Sequence, residues 1–224
     1  MTIVVSEDDD DADYSPFAFL ETTVKDDVLN VSHDYRYQKM GYYVSMHAEL
    51  CGCRVTPSCT DILDTHRNPL LMIRARKAGI PCLPYKLISK YERDMGAPAL
   101  MFAVNPYTCN SVTQVKSESQ LYRTIKSLSV NNRYPVSVQP LVGEVREAVQ
   151  VFGETDAPEA KGIARRFYET FHVPIGKLII QIVDGEAKLC HFEPVAKKEV
   201  DWALVKEKVG AVKGTAKATA MAHH

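Results

Sequence analysis

The sequence predicts a mixed α/β fold, in which a mixed sheet with flanking helices starts from a βαβ unit and leads into an α+β C-terminal half. Residues 28–58 contain a short apolar run, a helical pattern and a second extended run, which together have the size of a βαβ unit. Alternating residues over 135–142 and 147–153 and a hairpin pattern over 177–195 predict antiparallel strands. With 224 residues, 46% of them hydrophobic, the chain can bury an ordinary core.

The N-terminal unit is centred on a helix predicted over residues 35–51. Ser32, His33 and Asp34 suit a helix N-cap, and Gly52 favours the left-handed conformation that often ends a helix. Between them, largely apolar side chains recur three and four residues apart, as on one face of a helix. These residues are Met40, Tyr43, Val44, His47 and Leu50.

Cations and hydrogen-bonding aromatic residues crowd the first turn of this predicted helix. A helix N-terminus carries about half a positive charge and unpaired N–H groups, so such a turn predicts a site for a carboxylate or phosphate. The candidate ligand-binding residues are Ser32, His33, Tyr35, Arg36, Tyr37, Lys39 and Tyr42. The alternative is an exposed turn whose tyrosines cover the sheet edge, with Arg36 paired to Asp34 or another local acid.

The other elements follow from local patterns along the chain. Residues 2–5 and 17–20 are compact apolar runs that we predict as strands. Ser58 and Asn68-Pro69 are typical helix starts, and the helices that they open are expected to end near residues 63 and 79. The remaining predicted elements are strands at 100–104 and 112–115, a helix after Ser117, the two alternating runs, a helix from Ala157, a hairpin with the turn Asp184-Gly185, and a last helix around Trp202.

The overall charge excludes some classes of partner. A net charge of −1 and a pI near 6.7 provide no general field for nucleic acid or for an anionic membrane surface. No apolar run approaches the roughly 18 residues of a membrane span, and no signal peptide pattern opens the chain. We therefore expect a cytoplasmic protein that binds neither nucleic acid nor a membrane.

Neither the cysteines nor the acidic run near the N-terminus predicts a metal site. The six cysteines form no paired framework, and one residue separates Cys51 from Cys53, which is shorter than the usual zinc-ligand spacing. The acidic residues between Glu7 and Asp13 form either a solvated loop, which we favour, or an oxygen-ligand site for a divalent cation.

The segment from Asn30 to Ser58 resembles the signature of the RimK-like ATP-grasp N-terminal domain family. The match is dense and ungapped, with Tyr-Arg-Tyr-Gln at 35–38 and Gly-Tyr-Tyr at 41–43. The other matching residues are Asn30, Ser45, Ala48, Glu49, Gly52, Arg54, Pro57 and Ser58. The resemblance implies a domain that precedes an ATP-grasp ligase domain, and it assigns no catalytic residue.

Residues 68–195 also resemble, more weakly, the nucleotide-binding half of an ATP-grasp ligase. The strand near 99–104 is similar to the strand that presents a lysine to the nucleotide in those ligases, but Phe102 and Ala103 occupy it here. The following loop, 106–111, contains no glycine, and Gln181 stands with Glu193 where two Mg²⁺-binding carboxylates are expected. The resemblance therefore implies a degenerate relative, with ATP and Mg²⁺ as cofactors only if an atypical nucleotide site exists.

These observations predict three segments and one favoured function. The segments are a RimK-like βαβ module over 1–66, an α/β region resembling a degenerate ATP-grasp half over 67–210, and a disordered tail over 211–224. The favoured function is a non-catalytic accessory or recognition protein for an ATP-grasp peptide or amino-acid ligase, which binds an anion at the first turn of the 35–51 helix. Its expected partners are that ligase or its peptide substrate. The alternatives are a small ATP-dependent amide ligase with an atypical nucleotide site and an assembly subunit that forms a homo-oligomer.

Overall fold

The computed structural model describes residues 2–7, 12–90, 96–105 and 112–221. In these ranges the strands are β1 (Thr2–Ser6), β2 (Asp27–Val31), β3 (Val55–Thr56), β4 (Lys86–Ile88), β5 (Ala99–Ala103), β6 (Thr113–Val115), β7 (Val136–Pro140), β8 (Glu144–Val151), β9 (Ile175–Val183) and β10 (Glu186–Glu193). The helices are α1 (Pro16–Leu20), α2 (Met40–Leu50), α3 (Cys59–Thr65), α4 (Asn68–Lys77), α5 (Glu118–Leu128), α6 (Lys161–Phe171) and α7 (Trp202–Met221). The predicted mixed α/β fold is confirmed, with its strands divided among three sheets.

The N-terminal sheet is parallel, in the order β1-β2-β3. Its strands are buried on both faces, as expected for a parallel sheet covered on both sides. On one face Val5 and Val28 pack against Val44 of α2. On the other face Val4 belongs to a core cluster with Val205 of α7. The sheet of the predicted βαβ unit therefore lies between α2 on one face and α7 on the other.

The second sheet is antiparallel, in the order β4-β7-β5-β6. Helix α5 covers one face, because its apolar stripe of Leu121, Ile125 and Leu128 packs against Met101 and Val136. The opposite face of this sheet is turned toward the third sheet and carries Leu100 and Phe102 of β5.

The third sheet is an antiparallel meander in the order β8-β9-β10. One face packs on α6 and the α3–α4 pair through the largest core cluster of the described chain. At its centre the ring of Phe192 stacks on that of Phe167 with ring centroids 4.8 Å apart. Phe171 extends this aromatic group, and the guanidinium of Arg74 lies 4.7 Å above its ring.

Helix α2 begins at Met40 rather than at residue 35. The side chains of Ser32 and Asp34 accept hydrogen bonds from the backbone N–H groups two residues ahead, which is a local turn rather than a helix start. Gln38 then adopts a left-handed conformation with φ of 65°, which cannot continue a right-handed helix. The residue that precedes α2 is Lys39, whose side chain makes no capping hydrogen bond. The predicted N-cap at Ser32–Asp34 is therefore wrong.

The strand expected at 17–20 also differs from the structure. Residues 17–20 belong to α1, because Ser15 accepts a hydrogen bond from the Ala18 N–H and Pro16 opens the helix. Helix α7 runs through residue 211 to Met221, in keeping with the many alanines of this segment. One core cluster contains both Ile62 and Phe167, which lie on either side of residue 66 in the sequence. The acidic residues 8–11, the loop 106–111 with Cys109, and residues 222–224 lie outside the described residues.

None of the helices in the described ranges is both long and apolar enough to span a membrane. Within the same ranges, no three histidine, cysteine, aspartate or glutamate side chains lie together as metal ligands would.

Candidate functional site

The predicted anion-binding residues fall in the turn that connects β2 to α2. Two of them have structural roles that bury them. The hydroxyl of Tyr35 accepts the N–H of Ser32 at 2.8 Å and donates to the carbonyl of Asn30 at 2.9 Å, and its side chain is 1% exposed. Burial raises the pKa of Tyr35 far above its usual range, so the phenol keeps its proton. Ser32 is also buried, and both side chains therefore brace the turn.

Arg36 is paired with Asp34. Its Nε lies 2.9 and 3.1 Å from the two carboxylate oxygens of Asp34, and its Nη2 lies 2.6 Å from Oδ2. Burial acts to raise the pKa of Asp34, but the hydrogen bonds and charge of Arg36 outweigh it and hold the pKa below its usual value. The carboxylate of Asp34 occupies the Nε–Nη2 edge of the guanidinium, which matches the alternative interpretation of this turn.

The remaining predicted residues are distributed around the same turn. Nδ1 of His33 lies 2.9 Å from a carboxylate oxygen of Glu7, while the side chain of Lys39 is exposed. The rings of Tyr37 and Tyr42 meet edge to face with centroids 5.1 Å apart, and Tyr37 is the more exposed of the two. The turn thus brings aromatic rings together, but it directs its cations toward internal acids or solvent.

A second candidate region is the space between the second and third sheets, where the resemblance would place a nucleotide. Apolar side chains from both sheets fill it. Leu100 and Phe102 of β5 pack directly against Ile179 and Cys190 of the third sheet. Phe102 is only 2% exposed, and its ring centroid lies 4.8 Å from that of His191. The face of β5 that would point to a nucleotide is therefore part of a closed core.

A buried polar network joins the two sheets beside this core, and its centre is Asn68. The Asn68 side chain donates to the carbonyl of Cys190 at 2.7 Å and accepts from the hydroxyl of Ser137 at 2.6 Å. The amide of Gln139 donates to the same carbonyl at 2.9 Å. Within the described chain, Gln139 Oε1 and His66 Nε2 are buried without a hydrogen-bond partner.

Local sequence patterns give little sign of this network. Asn68 precedes a proline and is the type of residue that often begins a helix. Its sequence context therefore gives no sign that its side chain hydrogen-bonds to residues of the second and third sheets. One sign comes from β7. Ser137 and Gln139 occupy alternate positions on the face that does not contact α5, and two buried polar residues on one face indicate a buried polar partner.

Gln181 and Glu193 hold neighbouring segments of the backbone. The side-chain oxygen of Gln181 accepts the N–H groups of Val142 and Gly143 at 2.9 and 3.0 Å, and its amide donates to Pro140 at 3.0 Å. Gln181 therefore fixes the connection between the second and third sheets. Glu193 is half-buried and accepts the N–H of Val112 at 3.1 Å. Burial raises the pKa of Glu193.

Two histidines at this boundary are kept neutral by burial. Burial lowers the pKa of His191 to about 3, and it also lowers the pKa of His66. Nδ1 of His66 lies 2.9 Å from the carbonyl of Ile62, which places the ring proton on that nitrogen. Among the described residues, the one nucleophilic side chain hydrogen-bonded to either ring is that of Thr65, at 3.1 Å from His66 Nδ1. The arrangement fits two packed neutral rings.

Comparison with solved structures places the fold among ATP-grasp proteins. The chain is similar to a RimK domain protein ATP-grasp from Sphaerobacter thermophilus DSM 20745, with a TM-score of 0.61, 11% identity, and coverage of 80% of this chain and 77% of that one. It is also similar to the D-alanine–D-alanine ligase from Bacillus anthracis complexed with ATP, with a TM-score of 0.60, 12% identity, and coverage of 94% and 92%. The D-alanine–D-alanine ligase from Coxiella burnetii matches with a TM-score of 0.53 and 13% identity over 75% of this chain and 58% of that one.

Sequence comparison assigns the family. No protein with a curated description matches the chain. The family described as RimK-like ATPgrasp N-terminal domain matches residues 17–206, which cover both sides of the boundary predicted at residue 66. The chain therefore belongs to the RimK-like ATP-grasp N-terminal domain family and has an ATP-grasp-type fold.

Proposed function

We propose that this chain is a non-catalytic member of its fold that acts beside an ATP-grasp ligase domain, which supplies the ATP chemistry. The observation that carries the proposal is the closed core between the second and third sheets. Phe102 and Leu100 pack against Ile179 and Cys190, so apolar side chains fill the space between the two sheets where the resemblance would place a nucleotide.

The charge distribution at this core supports the same proposal. Phosphoryl transfer requires cations on the phosphates and carboxylates that hold Mg²⁺. Strand β5 contributes only apolar side chains, Gln181 is an amide already bonded to the connection at 142–143, and Glu193 holds the N–H of Val112. The described side chains at this boundary therefore fit neither the nucleotide nor the metal.

The anion receptor expected at Arg36 does not form part of the proposal. In the folded chain Asp34 already binds the Nε–Nη2 edge of the Arg36 guanidinium. A ligand carboxylate that needs this edge would have to displace a partner only two residues away in the chain, which the turn already holds in place. We infer instead that the family motif around Tyr35 maintains the turn that joins β2 to α2.

The nucleotide part of the proposal is tested by thermal unfolding with and without MgATP. A ligand at a hundred times its Kd stabilises a protein by about 2.7 kcal/mol, which raises Tm by about 5 to 10 °C for a chain of this size. We expect no shift at millimolar MgATP. The D-alanine–D-alanine ligase from Bacillus anthracis, whose structure holds ATP, is the positive control under the same conditions. A shift of several degrees in this chain would overturn the proposal.

The partner part is tested by sedimentation of the chain mixed with the ATP-grasp ligase domain that is encoded after it or beside it. We expect a complex, and a lower KM of that ligase for its peptide or amino-acid substrate when the chain is present. Separate sedimentation together with unchanged ligase kinetics would contradict the accessory role.

The second candidate is a small ATP-dependent amide ligase with an atypical nucleotide site. It is favoured by one observation, namely the match to the Bacillus anthracis ligase over 94% of this chain. The same MgATP experiment separates the two candidates, because an amide ligase must bind the nucleotide that a non-catalytic member does not.

A further inference from the structure

We propose that the outer edge of strand β8 is a docking site for an extended peptide with basic side chains. Strand β8 is the edge of the third sheet and pairs with β9 on one side only. A groove of about 820 Å³ lies on its other side, lined by every residue from Glu147 to Ala157 except Gln150 and by residues at the starts of α6 and α7. The inference rests on this edge alone and is independent of whether the chain binds a nucleotide.

The hydrogen-bond pattern shows which backbone groups of β8 are open. The N–H of Phe152 donates to the carbonyl of Pro174, in the same register that pairs Val151 with Ile175. Pairing alternates along an antiparallel ladder, so the even-numbered residues of β8 bond to β9 and the odd-numbered residues face away. The N–H of Val151 confirms this parity, because it bonds to the carbonyl of Glu154 on the outer side.

Three residues therefore direct their N–H and C=O groups to the open edge: Val145, Glu147 and Val149. Outside the β8–β9 pair, no residue in the described part of the chain hydrogen-bonds to these groups. They can accept one added strand through up to six backbone hydrogen bonds, as in peptide recognition by strand addition. The bridge between Val151 and Glu154 closes the groove at one end and so limits the length of that strand.

The charges on both faces of this edge select the partner. On the face covered by α7, Lys177 lies between the carboxylates of Glu147 and Glu199, at 2.8 and 3.4 Å. On the opposite face, Arg146 lies between Glu144 and Glu159, at 2.8 Å from each. Each face thus has two carboxylates for one cation.

The remaining charged residues of the groove also carry more negative than positive charge. They are Glu154, Asp156, Lys161, Arg165 and Asp201. Glu154 is paired with Lys208, and Arg165 with Glu169. An incoming strand with a lysine or arginine on each face would balance the excess. A second copy of the same edge would instead bring like charges together, which disfavours pairing between two copies.

The probe is a fluorescein-labelled, amidated peptide of the sequence Thr-Lys-Val-Val-Lys-Val-Thr, whose two lysines point to opposite faces when extended. Fluorescence anisotropy with the full chain is expected to show saturable binding that weakens with salt. A peptide with glutamate in place of both lysines is expected to bind at least about tenfold more weakly, because attraction at each face becomes repulsion. A peptide that is N-methylated at every residue is expected not to bind, since it offers no N–H donors.

Variants of the chain test the same two features. Val145→Pro removes an outward N–H without removing a bond to β9 and should abolish binding, whereas Val145→Thr keeps the N–H and should bind as the parent does. The double variant Glu144→Gln, Glu147→Gln should weaken binding by about three- to tenfold. The matched control is Glu21→Gln, Glu118→Gln, which changes exposed acids elsewhere.

The outcomes are decisive in both directions. Binding that needs both the peptide N–H groups and its lysines supports the proposal, even if Val145→Pro does not fold. Equal binding of the lysine and glutamate peptides, or undiminished binding of the N-methylated peptide, overturns it. A chain that sediments as a dimer and excludes the lysine peptide would also overturn it, because the edge would then be an interface between copies.

Discussion

Asp34 and Arg36 show how two neighbouring side chains decide the character of a whole turn. Asp34 accepts the backbone N–H of Arg36 at 3.1 Å and its guanidinium at 2.6 Å. One carboxylate thus fixes both the backbone turn and the nearby cation. Because such local bonds compete with the first turn of a helix, α2 starts only after Lys39.

This pair should contribute measurably to stability. In a double-mutant cycle with Asp34→Asn and Arg36→Ala, we expect a coupling free energy of about 1 kcal/mol, because the pair is partly buried and bidentate. Urea denaturation provides the free energies of unfolding. The control is the exposed pair Asp27–Arg54, where the arginine side chain is 83% exposed and the coupling should be near zero. Equal coupling at the two pairs would contradict the structural role of Asp34.

His191 should make stability depend on pH. Its folded-state pKa of about 3 lies below the ordinary value of 6.5. Between these values the unfolded chain binds a proton that the folded chain does not, so stability is complete above pH 6.5 and falls as the pH is lowered toward 3. Between pH 7 and pH 5, the parent's free energy of unfolding should fall by about 2 kcal/mol more than that of the His191→Gln variant.

The measurement is the urea midpoint of the parent and of each variant at the two pH values. The control is His172→Asn, which removes a more exposed histidine at the end of α6. An undiminished loss in His191→Gln would show that this histidine is not buried as described.

At the level of secondary-structure elements, a glycine allows β9 to pack beneath the aromatic core. A Cβ at Gly176 would lie 2.0 Å from Cζ of Phe192, far inside any permitted contact. Gly162 of α6 differs, because a Cβ there meets nothing within 4 Å. Packing against Phe192 therefore requires a glycine at position 176, whereas the helix only tolerates the glycine at position 162.

Alanine substitution at the two positions should therefore change the stability in opposite directions. We expect Gly176→Ala to destabilise the chain by about 1 to 3 kcal/mol through overpacking, and Gly162→Ala to stabilise it by about 0.5 to 1 kcal/mol through helix propensity. Chemical denaturation of the two variants and the parent gives both values. Effects of the same sign would mean that Phe192 does not lie over β9.

For the whole molecule, the contact between the second and third sheets has the largest consequence. It combines the apolar packing of Phe102 with the polar network centred on Asn68. A closed boundary of this kind favours one fixed arrangement of the sheets, since both the buried apolar area and the hydrogen bonds of Asn68 would be lost on opening.

Phe102→Ala should therefore cost about 3 to 5 kcal/mol of unfolding free energy, as expected for a fully buried aromatic residue. Phe17→Ala is the matched control, because Phe17 is 73% exposed and its loss should change stability by less than about 0.5 kcal/mol. Urea denaturation again provides the measurement. A cost below 1 kcal/mol for Phe102→Ala would indicate that the two sheets separate in solution.

Much of the fold could be predicted from local patterns. The stripe of Leu121, Ile125 and Leu128 predicted α5, and Asp184-Gly185 predicted the turn of the β9–β10 hairpin. Expectations were wrong where a side chain bonds to nearby backbone. Ser15 makes residues 17–20 helical, and Asp34 delays the start of α2, although neither effect changes the hydrophobic pattern.

By itself, the sequence determined the class of fold and the family, because hydrophobic periodicity and a dense motif are written in consecutive residues. Only the tertiary structure decided where Phe102 points, what Asn68 bonds to, and which edge of β8 is open. These features join residues that are distant along the chain. Their energies depend on pairing and burial, which no local pattern specifies.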